Sequence, residues 1–334
     1  MIAFFETAEW ERRFLTNALK RLHVTATFVS EPLTEDTLPK ARQAAIVSVF
    51  IYSRLTRALL GKLRHLRCIA TRSTGFDHID LAACRVRKIS VSNVPAYGEN
   101  TVAEHTFALI LSLSRNVHKA YVRTARGDFS LQGLQGFDLK NKTIGIVGAG
   151  RIGLHVIKMA KGFGMDVLVY DTRRDVFLSE VLGFRYAPLP ELLRRSDIVT
   201  LHLPYSASTH HVMNRDTFRL MKRGALLINT ARGGLIDTNA LVWALDQGII
   251  GGAGLDVLEG EELVKEERQL LEADFPKERL ITALKNHILL HRENVVITPH
   301  IAFDSREALQ RILETTVSNI AGFVKKAPVN LVST

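Results

Sequence analysis

The sequence predicts an α/β protein of two domains, the larger one built on a doubly wound, all-parallel sheet. Three observations carry that expectation. The chain has 334 residues, more than one hydrophobic core normally organises. From residue 143 onward, short runs of Val, Ile and Leu alternate with segments of helical period. Those runs are apolar at consecutive positions rather than at every second one, as strands covered on both faces are.

In chain order, strands are expected at 1–5, 24–28, 45–49, 67–71 and 89–92, which make a first and smaller α/β unit. The stretch "ENTVAEHTFALILSLSRNVHKAYVRTARG", residues 99–127, keeps helical spacing throughout and reads as one long helix, with Thr101 and Glu104 as a capping box at its start. It carries the chain into the second unit and is placed to pack against a second subunit. Strands are then expected at 143–147, 166–170, 198–203, 225–229, 252–256 and 295–297, separated by helical segments at 152–164, 189–196, 214–224 and 237–248. Three of these segments close on glycine, a common helix stop. "FDSREALQRILETTVSNIAGFVKK", residues 303–326, is a last amphipathic helix that returns to the first unit.

With 46% hydrophobic and 23% charged residues the composition is that of an ordinary globular protein. The net charge of +10 raises the question of nucleic acid. The basic residues, however, come as scattered doublets (Arg12-Arg13, Arg173-Arg174, Arg194-Arg195, Lys325-Lys326) without interleaved aromatics, so a solvated basic surface is the reading. No run approaches the ~18 consecutive apolar residues of a membrane span. The N-terminus meets acids within six residues and does not read as a secretory signal. Cys68 and Cys84 form no framework and read as buried or incidental thiols of a cytoplasmic protein.

The segment "TIGIVGAGRIG", residues 143–153, is an apolar strand that runs into three glycines and opens a helix. Gly148 allows the tight turn, Gly150 lets the backbone approach a pyrophosphate, and Gly153 lets the helix pack on the strand. The helix N-terminus then offers unpaired N–H groups to the phosphates. The next strand ends in Tyr170-Asp171, about 20 residues on, where an acid grips the ribose hydroxyls. This is the fingerprint of a Rossmann-type dinucleotide site. Asp171 repels a 2′-phosphate and so favours NAD over NADP, a preference that Arg173 and Arg174 soften.

Ligands of such folds sit beyond the carboxyl ends of the strands. Three candidates stand there: Arg232 in "NTARGG", Glu261 in "LDVLEGEE" and His300 in "ITPHIAF". Singly, each has an ordinary structural explanation: a surface charge, one of several acids in a solvated loop with Glu259 and Glu262, and a core histidine. Together they supply what reduction of a 2-keto acid requires beside a nicotinamide. His300 offers a proton near neutral pH, Glu261 holds the ring and favours imidazolium, and Arg232 offers a planar fork for the carboxylate.

These motifs, "GAGRIG", "INTARGG", "AGLDVLEGEE" and "TPHIAF", resemble those of the D-2-hydroxyacid dehydrogenase family over nearly the whole chain. "TRSTGFDHIDL" and "VPAYGENTVAEHTFALIL" resemble its D-lactate dehydrogenase branch. The resemblance implies a homodimer in which a Rossmann NAD-binding domain, residues 99–298, is inserted in a smaller flavodoxin-like substrate domain, residues 1–98 plus 299–334. It implies that the backbone N–H groups of Thr74 and Gly75 bind the substrate carboxylate, that Tyr52 and Tyr97 line the same cleft, and that Phe303 is an apolar wall suited to a small side chain. On the cofactor side it implies that Arg151 and Ile152 cover the pyrophosphate, that His202, Pro204 and Thr209 line the adenosine side, that Thr230 and Ala231 flank the nicotinamide, and that Asp256 holds its carboxamide.

Residues 262–294 are a longer and more charged insertion than compact members carry, and Asp304 follows Phe303 where an aromatic is common. Within the insertion His287 and His291 have metal-ligand spacing but no third ligand nearby, so an exposed helix face is the reading and no metal is expected. The expected activity is an NAD-dependent D-2-hydroxyacid dehydrogenase reducing pyruvate to D-lactate. The alternatives are glyoxylate, hydroxypyruvate, a branched-chain acid, a phosphorylated hydroxyacid with Arg54 and Arg72 as cations, or a non-enzymatic NAD-sensing protein.

Overall fold

A computed structural model describes residues 1–22, 24–261 and 277–332. The chain divides into two compact units, Met1–Tyr97 with Asp304–Thr334, and Gly98–Phe303.

The first unit is a five-stranded parallel sheet of β1 (Ile2–Phe4), β2 (Ala26–Phe28), β3 (Ile46–Val49), β4 (Cys68–Thr71) and β5 (Ser90–Ser92), in the order β2-β1-β3-β4-β5. That is the flavodoxin-like order. The period-2 geometry of a strand explains why β1 is apolar throughout. Ile2 and Phe4 face α1 (Glu9–Lys20) through Leu15 and Leu19, and the C-terminal helix Arg306–Val324 through Leu313 and Ile320. Ala3 and the following Phe5 face Leu59 and Leu60 of α2 (Arg57–Lys62) and Ala83 of α3 (Leu81–Val86) on the other side. Each large side chain buried in this way stabilises the fold by about 1.5–3 kcal/mol. Cys68 and Cys84 are buried thiols, pushed by that burial up to about 12 and about 11.

The second unit opens with α4 (Glu99–Ser114) and α5 (Val117–Ala125), followed by the strands β6 (Thr143–Val147), β7 (Asp166–Tyr170), β8 (Arg185–Tyr186), β9 (Ile198–Leu201), β10 (Ala225–Asn229), β11 (Ile250–Leu255) and β12 (Val295–Ile297). All pair in parallel, in the order β12-β11-β10-β9-β6-β7-β8. Counted from β6 this is the Rossmann order 3-2-1-4-5-6 with one strand added. β6 again divides its residues between two layers. Ile144 and Ile146 pack with Val156 and Ile157 of α6 (Arg151–Gly162) and with Ile110 of α4. Gly145 faces α8 (Leu189–Arg195) so closely that a Cβ would stand 2.4 Å from Leu192.

All six strands expected in this unit are found, four with identical bounds; β9 stops at Leu201 rather than 203, and β11 spans Ile250–Leu255 rather than 252–256. β8, only two residues long at the sheet edge, has too short a pattern to be read from sequence. The expected helix 99–127 is two helices. It breaks because Asn116 adopts a left-handed conformation, φ 52°, and sends its side-chain amide to the Leu134 and Gln135 carbonyls. Phe137 N–H then caps the Ser114 carbonyl, and the neighbouring Gly136 lies so close that a Cβ would stand 2.2 Å from that oxygen. The expected capping box is not used either: the N-cap is Gly98, and Thr101 lies inside α4. Of the insertion, residues 262–276 lie outside the described residues, and Lys277–Leu290 is a helix. There His291 Nδ1 bonds to the His287 carbonyl. Among the described residues no group of three or more metal-ligating side chains occurs, and no helix is long and apolar enough to cross a membrane.

Candidate active site

The reversal of strand order in the second unit falls at β6, whose neighbours β7 and β9 lead away in opposite directions. The three glycines at its carboxyl end have separate causes. Gly148 has φ 103°, and a Cβ there would stand 2.6 Å from the His202 carbonyl oxygen. At Gly153 a Cβ would stand 2.1 Å from the Gly148 carbonyl oxygen. The protein's own backbone therefore demands both. Gly150 is different: it is the N-cap of α6 at φ −68°, which any residue adopts, and a Cβ would meet nothing within 4 Å. What glycine gives at this position is access from outside to the unpaired N–H groups of the first turn of α6, which Arg151 and Ile152 begin. This donor set fits a pyrophosphate. Arg151 is exposed, its Nη1 3.4 Å from Glu99 Oε1.

Asp171 stands just past β7. Its Oδ2 accepts the Ala149 N–H at 2.7 Å and its Oδ1 the Arg173 N–H at 2.8 Å. The carboxylate thus fastens the glycine turn to the next strand, and each oxygen keeps a second lone pair for a ribose hydroxyl. Past β9, His202 Nε2 lies 3.0 Å from Thr200 Oγ1, and burial pushes the imidazole down to about 3, so it is neutral. Thr209 Oγ1 closes the following loop by donating to the Pro204 carbonyl at 2.7 Å.

Past β10, the turn that carries Arg232 is tied to a residue that sequence reasoning missed. Asn229 is fully buried; its Oδ1 accepts the Ala231 N–H at 3.0 Å and its Nδ2 donates to the Arg232 carbonyl at 2.9 Å. Thr230 Oγ1 lies 3.0 Å from Thr106 Oγ1 of α4, and Arg232 Nη1 donates to the Ala231 carbonyl at 2.7 Å. An asparagine closing an otherwise apolar strand, "ALLIN", is the signal that a buried amide has backbone to hold.

Past β11, Asp256 is 1% exposed and organises the loop after β12. Its Oδ1 accepts Thr298 Oγ1 at 2.5 Å and the Ile301 N–H at 2.9 Å, its Oδ2 accepts the Ala302 N–H at 2.9 Å, and its carbonyl accepts the His300 N–H at 2.9 Å. Thr298 Oγ1 also lies 3.0 Å from His105 Nε2. These bonds hold His300 at φ 60°, a conformation that costs a non-glycine residue energy and that persists where its surroundings over-determine it. His300 Nδ1 donates to Glu261 Oε1 at 2.8 Å, and both side chains are largely buried. The Phe303 ring stands edge-on to the His300 ring, centroids 6.5 Å apart.

Glu259, which the sequence offered as an equivalent acid in a solvated loop, is turned inward. Its Oε1 accepts His211 Nε2 at 2.6 Å, its Oε2 accepts Thr238 Oγ1 at 2.8 Å, and its carbonyl accepts Asn286 Nδ2 at 2.8 Å. Geometry, not composition, separates the two acids. The structure joins Glu261 to His300 and sets Arg232 on the same sheet edge, past β10, the far neighbour of β11.

In the first unit, Thr74 and Gly75 follow β4, and neither N–H donates to another described residue. Ser73 Oγ donates to the Gly75 carbonyl at 2.7 Å and Thr74 Oγ1 to the Val94 carbonyl at 2.7 Å, which fixes the loop. Tyr52 follows β3, half exposed, its ring edge-on to Phe50. The Tyr97 carbonyl accepts Arg311 Nε at 2.5 Å. Arg72 is not the anion-binding cation the sequence suggested. It is 1% exposed and donates to the Phe5 and Glu6 carbonyls at 2.8 and 2.7 Å, so it has nothing left to offer a phosphate.

A family model described as D-isomer specific 2-hydroxyacid dehydrogenase, NAD binding domain, matches residues 107–302. The chain is 37% identical over 321 residues to a 2-hydroxyacid dehydrogenase homolog of Haemophilus influenzae, covering 96% of this chain and 95% of the relative. It is 34% identical over 327 residues to the D-lactate dehydrogenase of Escherichia coli, covering 97% of each. Among solved structures it is similar to D-lactate dehydrogenase from Aquifex aeolicus complexed with NAD and lactic acid, with 38% identity, a TM-score of 0.88 and full coverage of both chains. A sheet in Rossmann order, a glycine turn open to a pyrophosphate and a histidine paired with a carboxylate find their common explanation here: the chain belongs to the D-isomer-specific 2-hydroxyacid dehydrogenases, NAD-dependent oxidoreductases of D-2-hydroxy acids.

Proposed function

We propose that the chain interconverts pyruvate and D-lactate. The observation that carries the chemistry is the 2.8 Å contact between His300 Nδ1 and Glu261 on a loop that buried Asp256 fixes. Because Nδ1 is engaged, Nε2 is the ring nitrogen that exchanges a proton with the substrate oxygen. Glu261 holds the ring in that orientation. Arg232 takes the carboxylate with its planar fork, and the Thr74 and Gly75 N–H groups add backbone donors for the same anion. Tyr52 and Tyr97 line the substrate site, and Phe303 walls it against side chains larger than methyl.

NADH, when bound, supplies the hydride. Gly148, Gly150, Gly153, Arg151 and Ile152 receive the pyrophosphate and Asp171 the ribose; His202, Pro204 and Thr209 line the adenosine side. Thr230 and Ala231 flank the nicotinamide. Asp256 acts mainly by holding His300, since three donors already occupy its carboxylate; a carboxamide would share the remaining acceptor site. The choice of pyruvate is supported by relatives named D-lactate dehydrogenase at 34% and 38% identity.

The protein works as a cytoplasmic homodimer in this reading. α5 and the segment after it leave Tyr121, Phe129 and Leu131 more than 70% exposed, apolar surface that a second copy would cover. Sedimentation equilibrium tests the dimer. NADH oxidation against pyruvate, glyoxylate, hydroxypyruvate and branched-chain 2-keto acids tests the substrate: the highest kcat/KM is expected on pyruvate. A higher value on another acid reassigns it, and no turnover with NADH binding intact favours a sensor.

A further inference from the structure

In the first unit, one buried cation ties the end of β4 to the loop beyond β1, to β3 and to α1. Arg72, at the end of β4, sends Nη2 to both the Phe5 and Glu6 carbonyls beyond β1, and Nη1 to Ser48 Oγ of β3 at 3.2 Å; its Nε lies 3.6 Å from Glu11 Oε1 of α1. Burial lowers its pKa while Glu11 and Glu6 oppose the fall. Glu6 is held at φ 56°, another strained position for a non-glycine residue. From there its carboxylate accepts the Phe50 N–H at 2.8 Å, the Tyr52 N–H at 2.7 Å and Ser53 Oγ at 2.5 Å. Ser53 Oγ in turn accepts the Leu33 N–H at 2.8 Å. The chain that leaves Arg72 runs directly into Ser73, Thr74 and Gly75.

We infer that Arg72 and Glu6 are positioning residues that set the substrate-binding loops 50–53 and 73–75 relative to one another, and so set KM for the keto acid. The inference rests on the reading that Tyr52, Thr74 and Gly75 meet the substrate. Neither side chain touches it. The guanidinium fixes the Phe5 and Glu6 carbonyls on one side and its own β4 terminus on the other, and the Glu6 carboxylate then dictates where the backbone of Tyr52 lies.

Steady-state kinetics on the full chain with NADH and pyruvate test this with Glu6→Gln, which keeps the volume but turns an amide N–H₂ toward backbone donors. KM for pyruvate is expected to rise about tenfold to a hundredfold, the scale of a misplaced loop, while NADH affinity by fluorescence titration and kcat at saturating pyruvate stay within about twofold. Glu6→Asp, with the charge restored, is expected to recover part of the loss. Ser53→Ala gives a weaker effect in the same direction, and Arg72→Met a larger one together with a lower melting temperature. A role confined to fold stability would lower the melting temperature and the active fraction with KM unchanged, and that result in Glu6→Gln overturns the inference. Tyr52→Ala separates the two levels. If it raises KM and Glu6→Gln does not, the positioning role fails; if neither raises it, the reading of this edge as the substrate site fails.

Discussion

Each sheet carries its candidate functional residues beyond its own strand ends, but the chemistry there differs between the two units. At the edge of the second unit the candidate reactive groups are side chains, Arg232, Glu261 and His300, and buried neutral or acidic groups, Asn229 and Asp256, hold the backbone beneath them. At the edge of the first unit the candidate donors are main-chain N–H groups of Thr74 and Gly75, and the buried anchor is a cation, Arg72. The difference follows from what each anchor must satisfy. A strand end that turns its N–H groups inward needs an acceptor, as Asp256 provides to Ile301 and Ala302. A strand end that turns its carbonyls inward needs a donor, and arginine offers five.

The sharpest way to break this contrast is to remove the proton donor. His300→Gln is expected to lower kcat about 10²–10⁴-fold with NADH binding near normal by fluorescence titration; residual turnover above that range moves the acid elsewhere. The next effect separates two glycines of one turn. Gly153→Ala forces a Cβ onto the Gly148 carbonyl and is expected to cost about 1–3 kcal/mol of stability, read from a denaturant melt. Gly150→Ala, with open space around it, should leave the melt unchanged and weaken NADH instead. Equal melts would show that the turn yields at both positions.

Asp171→Ala sharpens the cofactor side with a smaller effect, weakening NAD by roughly tenfold, the worth of a charge-assisted hydrogen bond, and NADP by less. Equal weakening removes its ribose role. The smallest effect concerns pH. His202 is held neutral with its pKa lowered from 6.5 to about 3, so the unfolded chain binds more protons than the folded one between those values. Stability contributed by its burial is complete above pH 6.5 and falls as pH drops toward 3. His202→Gln should flatten that part of the acid limb in melts at successive pH values, and an unaltered limb would place the loss at other groups.

Much of this was legible along the chain. The apolar runs of β6, β7 and β10 are buried on both faces and therefore have no polar phase to blur them. The turn "GAGRIG" names its own chemistry because each glycine answers a steric or electrostatic demand set within a few residues. β8 escaped because two residues at an edge have no period, and the break at Asn116 escaped because it depends on Gly136 and Phe137 meeting the end of α4 from 20 residues away.

What the sequence by itself determined, then, is what local order can encode: strand and helix identity through burial period, the glycine turn through backbone sterics, and the residue types able to move a proton or grip a carboxylate. The sequence named Glu261 as the partner of His300; tertiary structure alone decided where the neighbouring Glu259 goes, to His211 and Thr238, and that Arg72 serves the fold rather than a ligand. It also set which buried anchors hold the strained backbone at Glu6 and His300. Those choices are made by hydrogen bonds between strand ends that lie tens of residues apart, and a buried group takes whichever partner the packing brings within 3 Å, a distance on which sequence spacing is silent.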